Sequence, residues 1–162
     1  KQHKKYLKIV IMSKSITIED ESTLFMEDEI QKILNNVTET EYKSFKEIEE
    51  LREMLIEKIF SEFMRYEINK ENKEIVKHQL RDHEVVTMEE IKNGDYLKYL
   101  NLRAFYNIKL VDAGVVLKIC DNGNVFVKKQ GRFNTIKQTF FFKKINKDTL
   151  VKMKLLDIVN SV

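Results

Sequence analysis

Thr87-Met88-Glu89-Glu90-Ile91-Lys92-Asn93-Gly94-Asp95-Tyr96-Leu97-Lys98-Tyr99-Leu100 divides the chain between two hydrophobic rhythms. Upstream of it the apolar residues recur at helical spacing, and soon after it they follow the spacing of short strands. Thr87 and Glu90 make the S/T-x-x-E pattern of a capping box, in which a hydroxyl oxygen and a carboxylate satisfy free amides at a helix start. Val86 and Ile91 stand where the accompanying hydrophobic staple belongs. The segment therefore reads as the last helix of a helical half, with Tyr96, Leu97, Tyr99 and Leu100 toward the core. A kink is expected at Asn93-Gly94-Asp95, where glycine costs about 1 kcal/mol against alanine inside a helix.

Working upstream, Ser44 and Glu47 repeat the capping-box pattern. Phe45, Ile48, Leu51, Leu55, Ile59 and Phe63 then form one apolar stripe, widened by Ile56, Phe60, Met64 and Ile68. A stripe so broad exceeds what a small bundle covers, which marks Ile56, Phe60, Met64 and Ile68 as a candidate subunit interface. Arg52, Lys58 and Arg65 interleave with Glu49, Glu53, Glu57 and Glu62 on what reads as the solvent side. Asn69 to Lys73 holds no apolar residue and reads as a break before a short helix through Ile75, Val76 and Leu80. Further upstream, Leu24, Phe25, Ile30, Ile33, Leu34 and Val37 suit a short amphipathic helix over 20–37, preceded by a basic arm over 1–18. Met12-Ser13-Lys14 looks like a translation start, which would make the first 11 residues an extension.

Downstream, Ile108 and Leu110 alternate, Gly114 permits a turn, and Val115 to Cys120 form a strand. Asn122-Gly123 suits a type I′ hairpin turn, because both residues tolerate positive φ. Val125 to Val127 return as the partner strand. Lys128 to Gln138 reads as a polar loop and Phe140-Phe141-Phe142 as a buried strand. Asn146 or Asp148 caps a last helical turn containing Leu150, Val151 and Met153, and Leu155 to Val159 closes the chain as a final strand. The expected fold class is thus α+β, an N-terminal helical bundle followed by a small C-terminal mostly-β domain. The divisions are a basic arm at 1–18, a helical domain at 19–103 and a small β domain at 104–162.

The 162 residues, 43% of them hydrophobic, suit one ordinary domain or two very small ones. No apolar run approaches the roughly 18 residues of a membrane span. A single cysteine, Cys120, excludes an internal disulfide framework and fits a reducing, intracellular compartment. The net charge of +3 conceals segregation, with +5 over residues 1–18, −9 over 19–103 and +7 over 104–162. Such blocks bias approach to a polyanion or to oppositely charged surfaces.

The residues do not compose a recognisable catalytic site. Glycines stand alone at 94, 114, 123 and 131, so a phosphate-cradling loop is not formed. His78 and His83 are five apart, which does not bring two imidazoles together on one helix face for zinc. Cys120 lacks a neighbouring histidine to act as base, and reads as a small core residue. The expectation is a non-enzymatic protein without metal or cofactor. Lys128, Lys129, Arg132, Lys137, Lys143 and Lys144 compose a candidate basic patch, with Phe133 available for stacking on a base.

Phe140-Phe141-Phe142-Lys143-Lys144, followed by Leu150-Val151-Lys152-Met153-Lys154-Leu155-Leu156-Asp157-Ile158-Val159, resembles the closing motif of the small β domain of GINS replication subunits. In that motif a hydrophobic strand and a basic pair lead into a short helix, a leucine and a final strand. Thr87-Met88-Glu89-Glu90, with Tyr96 and Tyr99 behind it, is similar to the last helix of their helical domain, which often begins Leu-Ser-Pro-Glu-Glu. Lys154 stands where the family usually has a glycine, and no proline marks the linker. The resemblance implies a scaffold subunit in DNA replication, bound to sister subunits or a second copy through its helices. Its β domain would then face replicative helicase components, the MCM helicase and its RecJ-like partner. The charge pattern supports an alternative, a small nucleic-acid-binding adaptor using the basic C-terminal half.

Overall fold

The computed structural model describes residues 28–30 and 44–161. The basic arm over 1–18 and most of the helix expected over 20–37 lie outside the described residues. Residues 28–30 are helical, and Ile30 is buried in the main core. Two helices follow, α1 (Phe45–Ser61) and α2 (Glu67–Gln79). Strands β1 (His83–Thr87) and β2 (Tyr96–Leu100) come next, then a 3-10 turn at Leu102–Ala104. Strands β3 (Leu110–Ile119), β4 (Val125–Lys129), β5 (Arg132–Ile136) and β6 (Phe140–Lys144) complete the sheet, and α3 (Lys147–Asn160) closes the described chain. The six strands form one antiparallel sheet in the order β1-β6-β2-β3-β4-β5.

A helical bundle followed by a separate β domain is therefore not what the chain builds. A short helical part leads into a six-stranded sheet that already begins at His83, and a helix rather than a strand ends it. The reason lies in what Thr87 and Glu90 do. The Glu90 carboxylate accepts both the Thr87 amide and its hydroxyl, each at 3.0 Å, and the Glu90 amide donates to the Thr87 carbonyl at 2.9 Å. A helix start and a tight turn share the amide-to-carboxylate bond, so the pattern alone does not choose between them. The choice is made by β1, whose Val85, Val86 and Thr87 pair with Phe142, Phe141 and Phe140. Four residues past Glu90, Gly94 (φ 94°) donates its amide to the Val116 carbonyl, which sends the chain into β2 rather than into a helix.

Other local expectations fail for equally specific reasons. Asn69 to Lys73 is helical, because Asn69 is buried as a bracket rather than solvated in a turn. The hairpin at Asn122-Gly123 is present, but only the glycine takes positive φ. The Cys120 carbonyl accepts the Gly123 amide, and the Cys120 amide donates to Asn124, which describes a three-residue loop with a left-handed glycine. The two-residue turn with both residues at positive φ occurs instead at Gln130-Gly131, inside the expected polar loop, and makes β4 and β5 a hairpin. Residues 155–159 continue α3: Asn146 caps it by accepting from the Asp148 and Thr149 amides, and no glycine at 154 stops it.

Both faces of the sheet bury apolar side chains. On one, Val85, Leu100, Phe140 and Phe142 pack under α1 and α2 with Leu55, Ile56, Ile59, Phe60 and Val76. On the other, Val86, Leu97, Ala113, Val116, Val125, Val127, Ile136 and Phe141 form a second core that contains no helical residue. Val86 and Ile136 belong to strands at opposite ends of the strand order, so the sheet must curl around this core. Bulges at Leu97/Lys98 and Val116/Lys118 supply the bending.

Asn69 links the layers. Its side-chain amide donates to the Phe63 and Phe105 carbonyls at 2.9 and 2.8 Å, and its oxygen accepts the Ile108 amide at 2.9 Å. Replacing it with leucine strips the Phe105 carbonyl and the Ile108 amide of this partner and leaves the Phe63 carbonyl only the Tyr66 amide, so Asn69→Leu is expected to lower unfolding free energy by roughly 2–4 kcal/mol in a urea titration. At Gly114 (φ 108°) an added Cβ would stand 2.5 Å from the Lys128 carbonyl oxygen, whereas at Gly131 (φ 76°) it would meet nothing within 4 Å. Gly114→Ala should therefore cost on the order of 2–3 kcal/mol by the same measurement, and Gly131→Ala about 1 kcal/mol.

Candidate functional site

The residues expected to meet a sister subunit fall into two groups. Ile56 and Phe60 are wholly enclosed within this chain's own core, between the sheet and residues of α2. Met64 is half-buried against the same core, and Ile68 is exposed. The breadth of the stripe on α1 is used up internally, since one helix covers β1, α2 and α3 together. Arg52, placed by periodicity on the solvent side, is also buried.

The sheet also divides the basic patch. Lys128, Lys129 and Arg132 cluster around the Gln130-Gly131 turn, where Lys129 lies opposite Arg132. Lys143 and Lys144 lie on β6, with β2 and β3 between them and that hairpin. Lys143 is paired with Asp95 at 3.1 Å, and Lys144 is opposite His83. Lys137 follows the last residue of β5, in the connection to β6. Phe133, 59% exposed, projects beside Lys128.

A surface that periodicity at the C-terminus could have found lies on α3. Leu150, buried, and Met153 pack against Ile48 and Phe45 of α1. The Asp157 carboxylate accepts the Lys46 amide at 2.8 Å, placing negative charge at the positive end of α1. Lys154 lies over the Phe45 ring and within 3.9 Å of Asp82. The other side of α3 carries Val151, Leu155, Ile158 and Val159, each more than half exposed, and Leu156 at 45%. Val151, Leu155 and Ile158 follow i, i+4, i+7 spacing and so share one stripe. The signal was present in the sequence, but reading 155–159 as a strand hid it.

The buried polar centre sits where α1 meets β1. The Arg52 guanidinium donates to the His83 carbonyl at 3.0 Å and to the Glu53 carboxylate at 3.0 Å, with Glu49 at 3.9 Å. The His83 ring, itself buried, donates from Nδ1 to the Arg81 carbonyl at 3.0 Å. All of these bonds tie backbone and side chains of the fold together. Among the described residues, His, Cys, Asp and Glu do not gather in a group that could hold a metal ion. No helix among them is long and apolar enough to cross a membrane.

Comparison with protein-family models, with curated proteins and with solved structures gives no match. The chemistry of the site therefore has to be read from its own geometry, and His83 offers a direct handle. Burial pushes its imidazole below the ordinary histidine range, Lys98, Lys144 and Arg52 push it further, and the Arg81 carbonyl partly opposes them. The unfolded chain takes up this proton near pH 6.5 and the folded one only at lower pH. Below that point the unfolded state holds more protons, so stability should fall as pH drops. The shift in urea midpoint between about pH 7.5 and about pH 5.5 should be larger in the native protein than in His83→Asn. An equal shift in both would contradict the burial argument.

Proposed function

We propose that this protein is a non-enzymatic, intracellular subunit of a multiprotein assembly, joined to its neighbours through the outward face of α3. One observation carries the reading: a 14-residue helix seated on α1 by Leu150, Met153 and Asp157 turns Val151, Leu155, Ile158 and Val159 to solvent. Covering each such side chain is worth roughly 1.5–3 kcal/mol, so leaving all of them bare is costly for a protein that works alone. At about 1.5 Å per residue the helix is about 21 Å long, enough to form the centre of an interface with a second copy or a sister subunit. The proposed interface is therefore the α3 stripe rather than Ile56 and Phe60.

GINS, by the resemblance, would be one such assembly. Of the segments behind that resemblance, Phe140–Lys144 is a strand as the motif requires, Thr87–Glu90 opens a turn, and Leu155–Val159 remains helical. The assembly reading consequently rests on α3, and a role beside the replicative helicase is its narrower form.

Leu155→Glu combined with Ile158→Glu tests it. In the single chain both side chains are exposed, so the variant should unfold within about 0.5 kcal/mol of the native protein. Light scattering during size exclusion should show the native chain, alone or with co-expressed sister subunits, above monomer mass, and the double variant at monomer mass. A native chain that stays monomeric in both settings would overturn the reading, as would an assembly indifferent to the two glutamates.

A further inference from the structure

The face of β3, β4 and β5 that turns away from the second core is lined by exposed side chains. Cross-strand partners on it run in a row from Tyr96 to Val115, Lys128 and Phe133. The next row is Lys118, Phe126 and Thr135. Tyr96, Val115, Lys118, Lys128, Phe133 and Thr135 are all exposed, and Phe126 is half-buried. The Phe126 and Phe133 rings are parallel, 6° apart in plane with centroids 5.6 Å apart. The Lys128 ammonium stands over Phe133, 5.5 Å from its centre.

Charge on this side of the molecule is one-sided. From Val125 to Ile136, which spans β4, the Gln130-Gly131 turn and β5, the chain carries Lys128, Lys129 and Arg132 and no carboxylate. The carboxylate on the exposed face of β3 is Asp112, at the Tyr96 margin, where it accepts from the Tyr96 hydroxyl.

We propose that this face binds single-stranded nucleic acid, with Phe133 and Phe126 as the stacking platform and Lys118 and Lys128 as phosphate contacts. Bases in a duplex are stacked on one another and offer no ring face to a projecting phenylalanine, whereas an unpaired strand does. A lysine poised over the same ring lies within reach of the backbone phosphate of a base stacked there. An acidic peptide would be drawn by the lysines, but has no planar group to use the parallel ring pair. The inference does not depend on α3, which lies on the helical side of the molecule against α1.

Fluorescence anisotropy with labelled oligothymidylate of about 20 nucleotides, at about 50 mM and about 200 mM salt, tests the proposal on the whole chain. Binding should weaken as salt rises. Phe133→Ala should weaken it roughly tenfold at both salt concentrations, through the lost stacking. Lys118→Gln with Lys128→Gln should reduce the slope of log affinity against log salt by about 1.4, since each phosphate contact on a single strand accounts for about 0.7. Leu155→Glu with Ile158→Glu should leave binding intact, which separates this site from the assembly surface. Absence of binding at the lower salt would overturn the proposal. So would equal affinity for a duplex of the same length, indifference to Phe133→Ala, or polyglutamate competing better than oligothymidylate.

Discussion

Strand β6 is the constraint on which the rest of the structure depends. It lies between β1 and β2, and its three phenylalanines alternate across the sheet. Phe140 and Phe142 face the helices, and Phe141 faces the curled side. Both faces of one short strand are thus buried, and the two cores meet through it. Its flanks are held as well: Lys143 pairs with Asp95 ahead of β2, and the Ile145 amide donates to the Asp82 carbonyl ahead of β1. Without β6, β1 would have no partner in the sheet, and the strand that α1 covers would be cut off from the other four.

That dependence explains which parts of the fold could be read from residues alone. Elements fixed by their own neighbours were legible: α1 from its Ser44 capping box, the 122–123 hairpin from Asn-Gly, and the start of α3 from Asn146. Elements decided at a distance were not. The Thr87 amide reaches the Glu90 carboxylate in this turn as it would at a helix start, and the deciding contact is with phenylalanines more than 50 residues away. Arg52 looked solvated because periodicity ignores that the His83 carbonyl, buried beneath α1, requires a donor.

The candidate surfaces follow the same division. Helical spacing marks Ile56 and Phe60 as surplus to a bundle, and the sheet beneath α1 accounts for that surplus. Surplus does exist on α3, which runs unbroken through Lys154 to Asn160. Lysines adjacent in sequence proved separable: those at 128, 129 and 132 share a hairpin with an exposed aromatic, while Lys143 is engaged by Asp95. The protein thus presents two chemically distinct faces, an aliphatic one on a helix and a cationic, aromatic one on a sheet.

The order of manufacture gives the position of β6 a kinetic meaning. A ribosome extrudes β1 first and β6 last, yet β6 occupies the slot between β1 and β2, so neither core can close until nearly all of the described sheet has emerged. Sheet pairing of this kind imposes a late, long-range step, during which the valines of β1 and the phenylalanines of β6 are bare. A nascent chain arrested before Phe140 would hold a meander of four strands and two helices with nothing to join them, and would be a natural client for chaperones.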